Sequence, residues 1–388
     1  MLRIATAPFP CTSLPLPSMK TILNSIQATL HSVEENARLR VLSTYGDGVD
    51  FFSNDYLGLA KQNVALNSDF KHGAGGSRLI SGNHEEYGVT ERYLAKTFGY
   101  EAAVIFPTGY MTNLGLLSSL PQRSDVVLYD ELCHASIRDG LRLSHAKTYK
   151  FAHNDTAHLK KLIEQHANQA PHVYVVVESV YSMDGDMAPL VEMAEICNLP
   201  NVGLIVDEAH AVGVYGWGLV ASHQLQDSVF ATVVTFSKAL GLHGGAVLSH
   251  SILKDFLVNH ARSLIYTTGL PPETVHRIRA HFELLETEGP ERRAALEKNI
   301  QFFKNNLNNL AASQLIPSQT PIQALVIGNH VAAVQLENVL LSGGLLTKAI
   351  LHPTVPSGTE RIRISLHSYN TEAEISMICQ TLNEYFEE

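Results

Sequence analysis

Short apolar segments separated by helical stretches occupy the chain from about residue 51 to residue 285. The segments HVYVVV (172–177) and VGLIV (202–206) are apolar without alternation, as is typical of strands covered on both faces of a sheet. Helical stretches such as Ala157–His166 and Leu190–Cys197 lie between such segments and indicate βαβ units. The pattern predicts an α/β fold with a mainly parallel sheet, whose candidate strands are Ala102–Phe106, Val126–Tyr129, Val173–Val177, Gly203–Val206, Thr232–Phe236 and Gly245–Leu248.

The sequence changes in character on both sides of this region. Residues 1–18 favour a loosely attached tail over a transit peptide because they hold one arginine and several prolines, and Met19 is an alternative start. Apolar residues at helical spacing predict an amphipathic helix within 19–42 that packs on the body or on a partner chain. After a helical stretch at about 272–312, strand-like segments (322–327, 361–366) flank two predicted helices (331–341, 372–386). We therefore predict an N-terminal tail and helix (1–50), a large cofactor-binding domain (51–285) and a smaller C-terminal α+β domain (286–388).

The composition argues against several classes of function. A net charge of −10 without a basic stripe disfavours a nucleic-acid surface. No apolar run approaches the length of a membrane span, so we expect no membrane partner. The four cysteines are far apart and form no CxxC pair, which indicates free thiols in a reducing, cytoplasmic compartment and no metal site.

Chemically useful side chains follow two neighbouring predicted strands. Asp207 ends the segment LIVD and His210 lies three residues further on, so both are expected in the crevice at the carboxyl ends of the strands. The next strand leads into Lys238, which is flanked by small residues and suits a buried amine that binds an aldehyde. Taken singly, these residues also fit a helix cap, a surface histidine and an exposed lysine. Together they are typical of pyridoxal-phosphate enzymes, in which an acid keeps the ring nitrogen protonated and a lysine carries the aldehyde.

A phosphate-binding turn is predicted in the segment FPTGYMTN (106–113). It follows a strand and opens a helix, so the amides of Gly109 and Tyr110 can point at an anion. Thr235, at the end of a later strand, can add a hydroxyl group. His134 follows the strand VVLY and can stack on a planar ring, and Ser182 follows another buried strand and can reach a ring oxygen.

Several blocks of the chain, in this order, resemble the α-oxoamine synthases. They run from about residue 51 to the end and read FFSNDYLGLA, GGSRLISGN, SMDGDMAPL, VDEAHAVG, TFSKALG and PTVPSGTERIRISL. The resemblance implies a fold-type-I PLP-dependent transferase with a seven-stranded sheet, pyridoxal 5'-phosphate as cofactor and a homodimer with shared active sites. FAHND (151–155) and HARSLIYTTGLPP (260–272) are most similar to the members that condense L-alanine with a pimeloyl-thioester in biotin biosynthesis.

The resemblance also implies roles for single residues. Lys238 would bind the cofactor covalently, Asp207 would face the pyridine nitrogen, and His134 would cover the ring, with His210 as the fourth catalytic residue. The remaining cofactor contacts would come from His210 and Ser182 at the ring oxygen, from Gly109, Tyr110 and Thr235 at the phosphate, and from Thr267 or Thr268 of the second subunit. The substrate-binding residues would be Arg363, Thr354 and an N-terminal arginine, for which Arg38 and Arg40 compete.

The chain departs from the family pattern at two places. Where members usually read AIRPPTVP, Leu351 and His352 leave one arginine missing, and the usual Gly-Arg-Gly after VDEAH is absent from a shortened stretch at 213–218. Both lie where an acyl substrate would approach. Leucine cannot pair with a distal carboxylate, so either another group such as His352 binds it or the natural donor has a neutral tail. We favour the neutral tail, because a neutral histidine is a poor partner for a carboxylate.

The predicted reaction is the decarboxylative condensation of L-alanine with a pimeloyl-thioester of CoA or a carrier protein. Glycine-using relatives such as 2-amino-3-oxobutyrate CoA ligase and the serine-using palmitoyltransferases are alternatives. A non-catalytic scaffold member is a third possibility. The presence of Lys238, Asp207, His210 and His134 together argues against it.

Overall fold

The chain divides into two compact units, Met1–Gly48 and Val49–Glu388. The structure is a computed structural model that describes residues 17–35, 39–62 and 70–387. In the first unit, helix α1 (Pro17–Glu35) exposes the apolar side chains of Ile22, Ile26 and Leu30. The observed helix differs from the one predicted over 19–42, because it begins at Pro17 and residues 39–42 are not helical. The predicted tail lies almost entirely outside the described residues.

A seven-stranded sheet forms the centre of the second unit. After the short strand β1 (Val49–Asp50), its strands are β2 (Ala102–Phe106), β3 (Val126–Asp130), β4 (Lys147–Phe151), β5 (Val173–Glu178), β6 (Val202–Asp207), β7 (Ala231–Thr235) and β8 (Gly245–Ser249). The strand order is β2-β8-β7-β6-β5-β3-β4, and β8 runs in the opposite direction to the other six strands. The mainly parallel sheet confirms the predicted fold class.

Apolar side chains on both faces explain why these segments form central strands. In β2, Ala103 and Ile105 belong to one buried cluster, whereas Val104 and Phe106 belong to another, because successive side chains point to opposite faces. The sequence pattern did not predict β4, KTYKF, because it is an edge strand with four of its five residues exposed. An edge strand with polar side chains lacks the apolar run that marks the others.

Helices cover both faces of the sheet. They are α2 (Glu85–Phe98), α3 (Gly109–Ser119), α4 (Ala135–Leu143), α5 (Thr156–His166), α6 (Leu190–Ile196), α7 (Leu219–Ser222), α8 (Ser251–His260), α9 (Arg262–Ile265) and α10 (Pro272–Thr287), with a π-helical turn at Arg78–Gly82. Within the described part of the chain, none of the helices combines the length and the apolar character that crossing a membrane requires.

A second, smaller sheet follows in the C-terminal part. The elements are α11 (Gly289–Asn306), α12 (Asn309–Ser313), β9 (Ile322–Val326), α13 (His330–Ser342), β10 (Leu345–Leu346), β11 (Lys348–Ile350), β12 (Arg361–Ser365) and α14 (Glu372–Glu387). Strands β11, β12 and β9 pair antiparallel in that order, and β10 pairs parallel with β1. The predicted strands and helices are present here, while the domain boundary at 285/286 stays a prediction.

Candidate active site

A cavity of about 220 Å³ lies at the carboxyl ends of the central parallel strands. This is where side chains that follow neighbouring parallel strands converge. The cavity is lined by Thr108, Gly109, Tyr110, Asn113, His134, Ser136, Glu178, Asp207, Ala209, His210, Val233, Thr235, Ser237, Lys238, His243 and Gly244. Seven residues predicted from the sequence are therefore brought together, namely Gly109, Tyr110, His134, Asp207, His210, Thr235 and Lys238.

Lys238 lies in a tight turn just after β7. The amide of Gly241 donates to the carbonyl of Lys238 at 2.8 Å, and Gly241 has a positive φ of 64°. A side chain at position 241 would also meet the backbone of Ala60 at 2.3 Å, so the turn requires glycine. Burial lowers the pKa of the half-buried Lys238 amine, and the positive charge of Arg363 lowers it further. A larger fraction of this amine is therefore neutral than in an exposed lysine.

Asp207 is the last residue of β6 and is buried in the cavity wall. Its carboxylate accepts hydrogen bonds from Asn113 Nδ2 at 2.7 Å and from the amide of Ala209 at 2.9 Å. Burial raises the pKa of Asp207, whereas these two donors and the charges of His134 and Lys238 favour its ionised form. The pKa of Asp207 therefore stays above its ordinary value, and the two donors limit the rise.

Two histidines line the cavity. His134 caps the N-terminus of α4, and its Nδ1 accepts a hydrogen bond from the amide of Ser136 at 3.2 Å. His134 is exposed and its ring is edge-on to that of Tyr110. His210 is buried, with Nδ1 2.8 Å from the hydroxyl of Tyr56. Burial lowers the pKa of His210 well below its ordinary value, helped by Lys238 and Arg363, so His210 is neutral.

The start of α3 forms one wall of the cavity. Thr108 caps this helix by accepting the amide of Met111 at 3.0 Å. The amides of the first helical turn have no partner within the helix and can bind an anion. A side chain at Gly109 would lie 2.9 Å from Thr235 Oγ1, so glycine keeps this wall open. The hydroxyls of Thr235 and Ser237 lie 3.0 Å apart at the same place, and this donor set fits a phosphate group.

Arg363 lies beside the cavity. It is buried and donates from Nε to the carbonyl of Ser182 at 2.7 Å and from Nη2 to Asn54 Oδ1 at 2.9 Å. Nη2 also lies 3.4 Å from the hydroxyl of Tyr56, the partner of His210. Arg363 is therefore connected to the cavity wall by hydrogen bonds, although neither Arg363 nor Ser182 lines the cavity.

The other predicted residues lie elsewhere. Thr354 is exposed, and its amide donates to the carbonyl of Leu351 at 2.9 Å. Thr267 is half-buried and Thr268 pairs with Ser77 through a β-bridge, and neither lines the cavity of its own chain. Arg40 is exposed, and Arg38 lies outside the described residues.

Three further residues of this region have no role predicted from the sequence. Glu178 is buried in the cavity wall opposite Asp207 in the sheet register, and it accepts a hydrogen bond from the amide of His134. Burial and the charge of Asp207 raise the pKa of Glu178 well above its ordinary value. Asn113 lies one turn into α3, and Tyr56 belongs to the block FFSNDYLGLA. An acid at the end of the strand HVYVVVE was the signal that could have identified Glu178.

The fold and the site place a lysine, an acid and an anion-binding helix start around one cavity, and a family model agrees. Residues 46–382 match the model of the class I and II aminotransferases, so the chain belongs to this family. Among curated relatives, the 8-amino-7-oxononanoate synthase of Marinobacter nauticus is 38% identical over 344 residues, which are 86% of each chain. Further relatives of that name are 36–39% identical.

Solved structures extend the comparison. The serine palmitoyltransferase from S. paucimobilis with bound PLP-myriocin aldimine matches with a TM-score of 0.85 at 26% identity, covering 94% of this chain and 97% of that chain. The 8-amino-7-oxononanoate synthase from Francisella tularensis matches with a TM-score of 0.71 at 27% identity, covering 88% and 98%. The predicted resemblance to α-oxoamine synthases and the fold-type-I architecture are confirmed.

Proposed function

We propose that the protein is a PLP-dependent acyltransferase that catalyses the reaction of the 8-amino-7-oxononanoate synthases, the decarboxylative condensation of L-alanine with a pimeloyl-thioester in biotin biosynthesis. The observation that carries the proposal is that Lys238, Asp207, His134 and His210 line one cavity. The choice of substrates rests on the sequence identity of 36–39% to relatives of that name.

The residues of the cavity fit pyridoxal phosphate. The start of α3, together with Gly109, Tyr110 and Thr235, would hold its phosphate, Asp207 would lie at the pyridine nitrogen, and Lys238 would bind its aldehyde. When bound, pyridoxal phosphate supplies a ring that withdraws electrons from the α-carbon of an attached amino acid. The predicted cofactor is confirmed by the family and by the PLP-bound relative.

The protein's own side chains then have separate tasks. Nζ of Lys238, once the amino group of L-alanine has taken its place at the aldehyde, would take the proton from the α-carbon of L-alanine, and its lowered pKa makes the freed amine available as a base. Asn113 and the amide of Ala209 hold Asp207 as an anion at the buried end of the cavity. Arg363 would bind the carboxylate of L-alanine, for which a guanidinium fork is well suited. Ser182 would contribute at the ring oxygen beside His210, and Thr354 at the substrate.

The proposal includes a homodimer in the cytoplasm. Thr267 or Thr268 would contact the phosphate in the site of the second subunit, which accounts for their position away from the cavity of their own chain. Arg38 or Arg40 would supply a further substrate contact. Small molecules, and neither nucleic acid nor membranes, are the expected partners.

The proposal is tested by incubating the purified, cofactor-loaded protein with pimeloyl-CoA and L-alanine, glycine or L-serine. Release of CoA and mass spectrometry of the product measure turnover. We expect the highest kcat/KM with L-alanine and a product of the mass of 8-amino-7-oxononanoate. A higher kcat/KM with glycine or L-serine would assign the chain to another branch of the family.

A serine-using acyltransferase is the second candidate. The TM-score to the serine palmitoyltransferase is 0.85, against 0.71 for the 8-amino-7-oxononanoate synthase structure. Leu351, which replaces an arginine in the expected acyl pocket, also fits a neutral acyl chain. We rank this candidate second because its identity is 26%, against 38% for the synthase of M. nauticus, and substrate contacts depend on side chains more than on the backbone path.

A further inference from the structure

His153, in the segment FAHND, lies between two carboxylates. It follows the end of β4, and its Nδ1 is 2.9 Å from Asp130 Oδ1 while its Nε2 is 2.7 Å from Asp186 Oδ2. A carboxylate only accepts hydrogen bonds, so both ring nitrogens must donate and the ring must be an imidazolium. Burial by itself lowers the pKa of His153, but the hydrogen bonds and charges of Asp130 and Asp186 outweigh it and raise this pKa to about 9.

The two carboxylates depend on His153 to different degrees. Asp130 is fully buried at the end of β3 and also accepts the amides of Leu132 at 2.8 Å and Asn154 at 2.9 Å. Asp186 has one other donor, Asn154 Nδ2 at 2.7 Å, and its buried Oδ1 has no hydrogen-bond partner among the described residues. Loss of the imidazolium charge would therefore weaken the binding of Asp186 more than that of Asp130.

Asp186 belongs to the loop 179–187, which contacts Arg363. The carbonyl of Ser182 in this loop accepts from Arg363 Nε at 2.7 Å, and Asp184 pairs with Arg361 on the same face of β12. Two other residues of the loop contact His153, which follows β4. Asp186 accepts a hydrogen bond from its ring, and Tyr181 packs edge-on against the ring with the ring centroids 4.4 Å apart. The loop thus joins the His153 contact to the arginine that is expected to bind the substrate.

We propose that His153 is a positioning residue whose positive charge holds the loop 179–187 in the place where Ser182 orients Arg363 toward the carboxylate of the amino-acid substrate. The inference rests on the proposed function for the identity of that substrate. The titratable groups that face His153 are Asp130 from β3 and Asp186 and Tyr181 from the loop. The same loop also carries the ion pair between Asp184 and Arg361. Deprotonation of His153 in alkaline solution therefore weakens amino-acid binding.

The test measures the Kd of L-alanine from the absorbance change of the cofactor-loaded protein across about pH 7.5 to 10, a range that brackets titration of a histidine with two carboxylate partners. We expect His153→Gln to raise the Kd roughly tenfold or more at the lower end of this range, as for a misplaced binding group. The ratio of the variant Kd to the wild-type Kd should fall toward one at the alkaline end, where wild type has lost the same charge. Titration of alanine's own amine cancels in this ratio.

His172→Gln is the matched control. His172 Nδ1 lies 3.0 Å from Asp125 Oδ1. The two residues directly precede β5 and β3, so this histidine–aspartate pair lies at the end of the strands opposite to Asp130. This variant should keep the wild-type Kd at every pH. A Kd ratio of one for His153→Gln, or a raised ratio that stays constant with pH, would overturn the inference, since a constant ratio indicates only a packing defect.

Two further measurements keep the outcome clear. If His153→Gln does not fold, Asp186→Asn breaks the same ion pair from the other side and should raise the Kd in the same direction. Thermal unfolding without amino acid should show wild type losing its advantage over His153→Gln as pH rises from about 6.5 to about 9, because a histidine whose pKa is raised on folding stabilises the fold fully only below its unfolded-state pKa. A wild type that does not bind L-alanine would refute the proposed function, while the melting curves would still decide whether His153 holds the loop by charge.

Discussion

Removal of the Asn113 side chain should weaken the site through Asp207. Asn113 is buried, and its Nδ2 donates to Asp207 Oδ2 at 2.7 Å and lies 3.0 Å from Ser136 Oγ. A hydrogen bond to a charged group is worth about 1.5–3 kcal/mol. That corresponds to roughly one to two pKa units of Asp207, at about 1.4 kcal/mol per unit. Asn113→Ala should therefore lower kcat/KM for L-alanine by about tenfold to a hundredfold, because the cofactor's ring nitrogen loses a fully charged partner.

The assay is CoA release at saturating cofactor, with cofactor affinity measured separately. Asn299→Ala is the matched control, because Asn299 is also buried and donates two hydrogen bonds of 2.8 Å, to the carbonyls of His367 and Asn370. It should lower the melting temperature and leave kcat/KM within about threefold of wild type, as expected for a purely structural bond. Equal losses of kcat/KM in the two variants, or a loss below threefold in Asn113→Ala, would refute the reasoning.

Three further predictions concern the cofactor, the fold and the acyl donor. Lys238→Ala should leave no borohydride-reducible bond between protein and cofactor; a bond that survives, seen by mass spectrometry, would contradict the lysine assignment. Glu208 is fully buried, and burial raises its pKa to about 7. The folded protein therefore favours protonated Glu208, and the free energy of unfolding should fall by up to about 3 kcal/mol as pH rises from about 4.5 to 7. Denaturant unfolding should show Glu208→Gln gaining stability relative to wild type over this range, and parallel pH profiles would count against it. Leu351 stands where members of the family have an arginine, so the unmodified enzyme should use fatty acyl-thioesters or the methyl ester at least as well as free pimeloyl-thioester. Leu351→Arg should favour the free acid. A wild-type preference for the free acid that the arginine leaves unchanged would show that the pocket lost nothing.

Local patterns were sufficient for most of the sheet and for the centre of the site. The apolar runs of β5 and β6 identify themselves because a strand covered on both faces must be apolar at successive positions. Asp207, Lys238 and Gly109 follow directly from such strands, since the carboxyl ends of parallel strands meet at one edge. The edge strand β4 could not be predicted in this way, because its exposed side chains need not be apolar.

Only the tertiary structure decided which distant residues complete the site. Arg363 meets Asn54 across 309 positions of sequence, and His210 meets Tyr56 across 154. No periodicity connects such pairs, because they come together only when β12 and the segment after β1 pack beside the large sheet. The same holds for His153, whose charge depends on two carboxylates 23 and 33 positions away. Residue order determines the strands and what stands at their ends, whereas the charge state of a buried group depends on the neighbours that folding places around it.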